Sequence, residues 1–167
     1  MSSIAIQSRA IYIEAMDQTP SSPPEDALDP FEDFLCFSVY STGLAFNRIY
    51  KPLLDRLGLT YLQYLAILGL ARKDGQTVSE LGEKLFLESN TLTPLLKRLE
   101  AAGLVERRRS TEDERVVRIT LTDKGRATAA EARCVPAELV EATGVSIGRI
   151  ADLNRELKAL RTQLRGG

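Results

Sequence analysis

The stretch TVSELGEKLFLESNTLTPLLKRLEAAGLVERRRSTEDERVVRITLT, residues 77–122, predicts two short helices followed by a β-hairpin. Its first helix is expected to begin at Thr77, because Thr77 and Glu80 have the spacing of a reciprocal capping box. After a three-residue turn, Ser89 is the expected cap of a second helix. Gly103 suits the left-handed conformation that commonly ends a helix, so the chain can turn there into the first strand.

The second helix divides into an apolar face and a polar face. Its leucines recur at helical spacing and should face the core: Leu92, Leu95, Leu96 and Leu99. The polar face carries short side chains and some basic ones: Ser89, Asn90, Thr91, Thr93, Lys97 and Arg98. Helices that read a major groove have this composition, because short polar groups reach base edges and basic groups reach phosphates. We therefore predict that this face contacts DNA.

The hairpin is rich in arginine, and its strands are expected over 104–109 and 116–121. Its basic side chains are Arg107, Arg108, Arg109, Arg115 and Arg118. A basic hairpin beside such a helix would lie along the sugar-phosphate backbone. At its tip, Asp113 could hold the guanidinium of Arg115, which would enter the minor groove, where the negative potential is strongest. The whole stretch predicts a mainly α fold with a small β-wing, a winged helix-turn-helix; a solvated charged hairpin is the alternative.

Charge is distributed unevenly along the chain, whose net charge is only −1. Residues 1–33 carry seven acids and one base, whereas residues 34–167 carry 21 Lys or Arg and 16 Asp or Glu, a net charge of +5. The weakly acidic pI is therefore no argument against DNA binding. Three prolines predict a flexible tail over residues 1–29. Neither a signal peptide nor a membrane span is predicted, and the expected compartment is the cytoplasm.

The segments on either side of the hairpin stretch are expected to be helical. One helix should begin at Asp29-Pro30, a capping residue followed by proline, and end near residue 57. Thr60 should cap the next. Beyond the wing, Thr122 opens a helix that Pro136 is expected to interrupt. Ser146 should cap a last helix whose apolar residues form a packing seam: Ile147, Ile150, Leu153, Leu157, Leu160 and Leu164.

The residue types exclude several kinds of catalytic site. Histidine is absent, which removes Ser-His-Asp and Cys-His catalysis and most catalytic zinc sites. The two cysteines, Cys36 and Cys134, form no CxxC motif and should rest as thiols in a reducing cytosol. No cofactor, metal ion or enzymatic activity is predicted.

The wing also carries a family resemblance. The run Asp113-x-Arg115, followed by Leu121-Thr122, is similar to the wing signature of the MarR family of transcriptional regulators. With its flanking helices, the resemblance covers roughly residues 30–165. It implies an obligate homodimer formed by helices at about 30–58 and 123–165, with a DNA-binding lobe at about 61–122. Such a dimer would bind double-stranded DNA at a pseudo-palindromic operator.

Two further segments, LCFSVYSTGLAFNRIYKPLLDRLGLTYLQYLAIL (35–68) and LESNTLTPLLKRLE (87–100), resemble the OhrR branch of that family. The branch represses an organic-hydroperoxide resistance gene and releases DNA when a reactive cysteine is oxidised. The resemblance implies that Cys36 is this cysteine. It further implies that Tyr50 and Tyr61 hydrogen-bond Cys36 and that Tyr40 lies at the dimer interface of the site. In the two-cysteine type, the sulfenic acid formed at Cys36 would form a disulfide with the partner subunit's Cys134.

The chemistry of these residues is compatible with that role. A thiolate is the nucleophile toward a peroxide, and phenol hydroxyls can donate hydrogen bonds to sulfur. With the helix starting at Pro30, Cys36 would lie beyond its first turn, where the helix dipole fades. Apolar neighbours would favour organic hydroperoxides over hydrogen peroxide. Cys134 lies near the expected break at Pro136, where some mobility is expected.

Other interpretations remain open at the sequence level. Cys36 could be a small buried hydrophobe, and Cys134 an incidental surface thiol. The protein could be a MarR-type regulator that answers a non-covalent aromatic ligand. It could also be a thiol peroxidase that uses both cysteines, although such an enzyme needs a nearby cation and would leave the wing unexplained.

Overall fold

The computed structural model describes residues 29, 31, 33–109 and 116–165, and divides the chain between Thr42 and Gly43 into two units, each described by itself. The helices are α1 (Leu35–Asp55), α2 (Tyr61–Arg72), α3 (Val78–Leu85), α4 (Ser89–Ala101), α5 (Asp123–Glu131), α6 (Val135–Thr143) and α7 (Ile147–Arg165). A 3-10 turn, Ala132–Cys134, joins α5 to α6. The strands are β1 (Gln76–Thr77), β2 (Val105–Arg109) and β3 (Val117–Leu121). The predicted tail over 1–29 lies almost wholly outside the described residues.

The sheet and the helix pair α3–α4 form the predicted winged helix-turn-helix. The three strands are antiparallel in the order β1-β3-β2, with Gln76 opposite Ile119 and Val105 opposite Leu121. All four leucines predicted to face inward from α4 are buried: Leu92, Leu95, Leu96 and Leu99. Burial of each such side chain contributes roughly 1.5–3 kcal/mol, which fixes α4 against the sheet and leaves its polar side outward.

The starts of α3 and α4 differ from each other in how they are capped. Thr77 caps α3 as predicted: its side chain accepts a hydrogen bond from the Glu80 N–H at 3.1 Å, and the Glu80 carboxylate accepts one from the Thr77 N–H at 2.8 Å. The prediction that Ser89 caps α4 was wrong. Ser89 is already helical, and the carbonyl of Glu88 accepts the first helical hydrogen bonds. Phe86 takes a left-handed conformation, φ 57°, which reverses the chain quickly and lets the helix begin one residue earlier.

The capping carboxylate of Glu80 makes one contribution to stability dependent on pH. Its hydrogen bonds to the Thr77 backbone and to Lys73 lower the pKa of Glu80 to about 2, below the ordinary 4.5. Glu80→Gln should therefore lose most stability relative to wild type above pH 4.5, and this difference should shrink as pH falls toward about 2. Urea unfolding across this range measures it. The matched control is Glu83→Gln on the same helix; an equal pH-dependent difference in both variants would contradict the assignment.

The first helix begins later than its capping signal suggested. Asp29 does accept a hydrogen bond from the Phe31 N–H at 2.8 Å, but Asp29 and Asp33 also bond to each other and close a separate turn. The carbonyl of Phe34 accepts from the residues that start α1, so the predicted start at Asp29-Pro30 was wrong. As a consequence, Cys36 is the second residue of α1 and lies in its first turn, not beyond it.

The region after the wing is interrupted close to the predicted break. The helix that Thr122 opens, α5, ends at Glu131, and the 3-10 turn Ala132–Cys134 separates it from α6. Pro136 is the second residue of α6, a position where the missing N–H is not needed, so the interruption lies just before the proline. Ser146 caps α7 as predicted, accepting from the Arg149 N–H at 3.3 Å. No residue of α7 is buried, and its seam is largely exposed at Ile147, Leu153, Leu157 and Leu164. None of the described helices combines the length and apolar character needed to cross a membrane.

Candidate nucleic-acid interface and thiol site

The structure brings the predicted recognition residues together on the outer face of α4. Most of these side chains are exposed: Ser89, Asn90, Thr91, Lys97 and Arg98. Thr91 donates a hydrogen bond to the side-chain oxygen of Asn90 at 3.2 Å, and Thr93 is half-buried. The face therefore presents short polar groups at its start and cations one to two turns further on, which is the arrangement that base edges flanked by phosphates require.

The arginines of the wing have two kinds of surroundings. Arg108 and Arg109 are exposed, and Arg108 forms an ion pair with Glu106 at 2.5 Å. Arg118 lies opposite Arg108 in the sheet and donates to the Gly75 carbonyl at 3.1 Å. Arg107 instead has a side chain that is only 22% exposed and lies 3.7 Å from the Glu100 carboxylate. The predicted tip residues Asp113 and Arg115 lie outside the described residues.

The turn between α3 and α4 carries a contact that the sequence did not suggest. Phe86 is exposed in this turn, and the guanidinium carbons of Arg161 and Arg165 lie 4.8 Å and 4.6 Å from its ring centroid. Such distances are those of cation–π contacts. The last turns of α7 therefore contact the helix-turn-helix directly. About eighty residues separate Phe86 from these two arginines, and no motif connects them, so the contact could not be predicted from the sequence.

The thiol of Cys36 is exposed on the first turn of α1. Tyr40 lies one turn further along the same face and is also exposed, and its ring centroid is 6.2 Å from that of Phe37. Phe37 in turn meets the edge of Phe31 at 5.1 Å. The first turn of a helix is where its dipole stabilises negative charge, so the observed start of α1 places Cys36 more favourably than the predicted start did.

Tyr50 and Tyr61 lie together, with ring centroids 4.8 Å apart. A third tyrosine, Tyr64, completes the cluster at 5.9 Å from Tyr50 and 6.3 Å from Tyr61. Tyr64 was not predicted from the sequence, although it follows Tyr61 by three residues on α2 and so had to share its face. Burial, followed by the neighbouring phenols, raises the pKa of Tyr50 to about 12, and burial also raises the pKa of Tyr61 and of Tyr64. All three hydroxyls therefore remain protonated hydrogen-bond donors at neutral pH.

Beside the tyrosine cluster is a cleft of about 270 Å³. Its lining comes from the second half of α1 and the start of α2: Asn47, Tyr50, Lys51, Leu54, Asp55, Leu59, Thr60 and Tyr61. Cys36 and Tyr40 belong to the other unit of the chain. The structure thus brings Tyr50 and Tyr61 together, and a hydrogen bond from either to Cys36 stays a prediction.

Cys134 ends the 3-10 turn before α6, and its side chain is exposed. Its neighbours Ala132 and Val135 are 0% and 1% exposed and belong to the core. The expected break lies at this 3-10 turn, immediately before Pro136, but the backbone there is held by these two core residues. Cys134 is instead a solvent-facing thiol on a backbone anchored from both sides.

Comparison with known proteins gives consistent matches. Residues 48–132 match the family model for the transcriptional regulator SarA/Rot. The chain is 44% identical to the HTH-type transcriptional regulator TtmR of Methylorubrum extorquens over 89% of this chain and 74% of that protein. It is 43% identical to the organic hydroperoxide resistance transcriptional regulator of Bacillus subtilis over 80% of this chain and 86% of that protein. Among solved structures, reduced AbfR of Staphylococcus epidermidis bound to DNA has a TM-score of 0.70 and 34% identity, over 79% of this chain and 90% of that one.

Proposed function

The chain belongs to the SarA/Rot and MarR-type winged-helix regulators of transcription, which bind DNA, and we propose that this member is a repressor that releases its operator when an organic hydroperoxide oxidises Cys36. It is a regulator and not an enzyme, which removes the thiol peroxidase alternative. The proposed repressor is a cytoplasmic homodimer whose dimer contacts come from α1 and α7.

The observation that carries the proposal is the exposed thiol of Cys36 on the first turn of α1, in a chain 43% identical to an organic hydroperoxide resistance regulator. An exposed cysteine at a helix N-terminus has the environment of reactive cysteines, whereas structural cysteines are buried. The protonated hydroxyls of Tyr50 and Tyr61 supply suitable donors, and we propose that they hydrogen-bond the sulfur of Cys36 while Tyr40 borders the site at the dimer interface.

The proposed reaction has two steps. In the first, the Cys36 thiolate attacks one peroxide oxygen; an S–O bond forms, the O–O bond breaks, and the alkoxide leaves as an alcohol after taking up a proton. Cys36 becomes a sulfenic acid, and the hydroperoxide is reduced by two electrons. In the second, the thiol of the partner subunit's Cys134 attacks the Cys36 sulfur, an S–S bond forms, and water leaves.

We propose the disulfide step because the thiol of Cys134 is exposed and the backbone around it is held by the core residues Ala132 and Val135. An exposed thiol on a fixed backbone can meet a sulfur on a second subunit only if the two backbones approach closely, because the two Cβ atoms of a disulfide lie about 4 Å apart. Two symmetry-related bridges per dimer would therefore pull α1 of each subunit toward the α5–α6 junction of the other. Since α5 follows directly on the wing strand β3, this movement would change the spacing of the two DNA-binding lobes.

For DNA contacts, we propose that the start of α4 reads bases in the major groove and that Lys97 and Arg98 bind phosphates. The exposed Arg108 and Arg109 would follow the sugar-phosphate backbone. We retain Arg115, oriented by Asp113, as the residue that enters the minor groove. Two-fold symmetry implies a pseudo-palindromic operator with half-sites about one helical turn apart.

A direct test uses the DNA duplex that wild-type protein selects from a random pool of roughly 30 base pairs, long enough for two half-sites. Cumene hydroperoxide should lower the affinity for this duplex by about 5–150-fold, the range of ordinary coupling between sites. Non-reducing electrophoresis should show a covalent dimer at the same time, and dithiothreitol should reverse both changes.

The matched variant for the disulfide step is Cys134→Ser, which keeps Cys36 and the exposed surface around position 134. It should give no covalent dimer under the same treatment. A covalent dimer in Cys134→Ser, or none in oxidised wild type, would remove the disulfide step and leave the sulfenic acid as the end of the reaction.

The cleft beside Tyr50 and Tyr61 supports a second candidate function. The cleft volume of 270 Å³ and its partly apolar lining suit a small aromatic molecule, so the regulator could answer a non-covalent ligand without any oxidation of Cys36. Release of the selected duplex by a phenolic compound, equally in wild type and in a protein without Cys36, would favour this reading over the redox one.

A further inference from the structure

Arg107 differs from the other described wing arginines in being only partly exposed. In β2 it shares a face with Val105, which is 2% exposed, and it lies opposite the buried Ile119 of β3. Arg108 and Glu106 take the opposite face and are exposed. The alternation of a strand thus turns the Arg107 side chain inward over α4, where its Nε is buried and has no hydrogen-bond partner within the described ranges.

The surface of α4 that receives this side chain includes Thr93 and Glu100. These residues are seven apart, or two helical turns, so they lie on one stripe of the helix. The Glu100 carboxylate is 3.7 Å from the Arg107 guanidinium. Thr93 lines a groove of about 340 Å³ together with Arg107, Val117 and the first residues of α3. The groove lies between the recognition helix and the wing, and the ion pair of Arg107 with Glu100 links the same two elements.

We infer that Arg107 is a positioning residue, which through Glu100 holds the wing at a fixed angle to the recognition helix, and that it is not itself a phosphate contact. The inference deepens the proposed DNA-binding surface and rests on it. The wing is a hairpin of β2 and β3, and a two-stranded hairpin can change its twist easily. β1 supports it only weakly, because β1 pairs with β3 through two residues. Because α4 and the wing would read different grooves, ordering their relative angle before binding lowers the entropy cost of the complex.

The effect of Glu100→Gln on DNA affinity has opposite signs for a positioning role and for a phosphate-contact role of Arg107. If Arg107 contacted a phosphate, Glu100 would be merely a nearby acid, and Glu100→Gln should strengthen DNA binding by removing a repulsive charge. If Arg107 acts through Glu100, the same change should weaken binding, by up to about fivefold for a partly exposed pair. Arg107→Gln should weaken binding by a similar factor.

The double variant Glu100→Gln/Arg107→Gln sharpens the comparison because it keeps the wild-type net charge. Under the positioning role, the double variant should bind DNA no better than either single variant, since the contact between Arg107 and Glu100 is lost in all three. Under a purely electrostatic role, its affinity should return to the wild-type value.

Salt dependence separates a positioning role of Arg107 from a phosphate contact. Arg107→Gln should keep the wild-type slope of log affinity against log salt concentration, because no phosphate contact is lost. The matched control Arg109→Gln, at an exposed position two residues on, should reduce the slope by about 0.9. Thermal unfolding of each variant, and titration to stoichiometry, ensure that only folded, binding-competent protein is compared.

The experiment measures the affinity of reduced protein for the duplex selected by wild type. Weaker binding by Glu100→Gln, with no recovery in the double variant and an unchanged slope for Arg107→Gln, is the expected result. Tighter binding by Glu100→Gln, recovery in the double variant, or a reduced slope for Arg107→Gln would overturn the positioning role alone. If wild type selects no duplex at all, the proposed operator binding itself fails, and the positioning role with it.

Discussion

Cys36→Ser is expected to bind the selected duplex within about twofold of wild type and to lose all release by organic hydroperoxide. Serine is nearly isosteric with cysteine and the side chain is exposed, so the fold and the DNA-binding surface should be unchanged. The hydroxyl cannot form a sulfenic acid, however, so the first step of the proposed reaction has no nucleophile. Fluorescence anisotropy of a labelled duplex, before and after cumene hydroperoxide, measures both quantities.

The matched control is the other cysteine. Under the same peroxide dose, Cys134→Ser should still consume one equivalent of hydroperoxide per subunit, whereas Cys36→Ser should consume none. Mass spectrometry should locate the added oxygen on residue 36 of Cys134→Ser. A Cys36→Ser protein that still releases DNA under peroxide would end the redox proposal, and a phenolic ligand in the cleft beside Tyr50 would then be the stronger candidate.

Gly125→Ala should cause the largest loss of stability of the substitutions considered. A Cβ at this position of α5 would lie 2.0 Å from the Leu104 carbonyl oxygen and 3.1 Å from a methyl carbon of Leu121. The nearest obstacle is backbone, which cannot rotate away, so α5 would have to separate from the base of the wing. We expect a loss of at least about 3 kcal/mol in the free energy of unfolding. In thermal unfolding this corresponds to a fall of roughly 6–12 °C in Tm.

Gly148→Ala provides the control for the same chemical change. Position 148 lies in the first turn of α7, and no atom would approach an added Cβ there within 4 Å. The added methyl should restrict the unfolded chain and raise stability by about 0.5 kcal/mol. Equal effects of the two substitutions would show that the close packing of α5 on the wing does not exist in solution.

Local rules predicted those parts of the fold that local chemistry determines. The leucines of α4, the capping box of Thr77 and Glu80, and the glycine after α4 were read correctly because each depends on residues within a few positions. β1 was missed because two residues carry no alternation, and the strand exists only through pairing with β3. The start of α1 was misplaced because Asp29 finds a partner in Asp33 that competes with helix capping.

In the candidate sites too, features set by nearby residues could be predicted from the sequence, and features set by tertiary contacts could not. The outward face of α4 followed from helical periodicity, and its exposed side chains lie where that periodicity put them. The partial burial of Arg107 could be predicted because Arg107 follows the apolar Val105 by two residues and therefore shares its face of the strand. The run of three arginines instead suggested one common role for all three. Tyr64 could not be predicted from the family resemblance, which implied roles only for Tyr40, Tyr50 and Tyr61, and the cluster of three rings is a tertiary feature.

The contact between Phe86 and the end of α7 has a practical consequence for anyone who prepares this protein. Arg165, in the last turn of α7, lies 4.6 Å from the ring of Phe86, in the turn that leads into α4. A purification tag attached at the end of α7 would therefore emerge beside the surface expected to meet DNA, and a histidine tag would add titratable cations there. Binding constants intended to report the native surface should be measured with the end of α7 left unmodified.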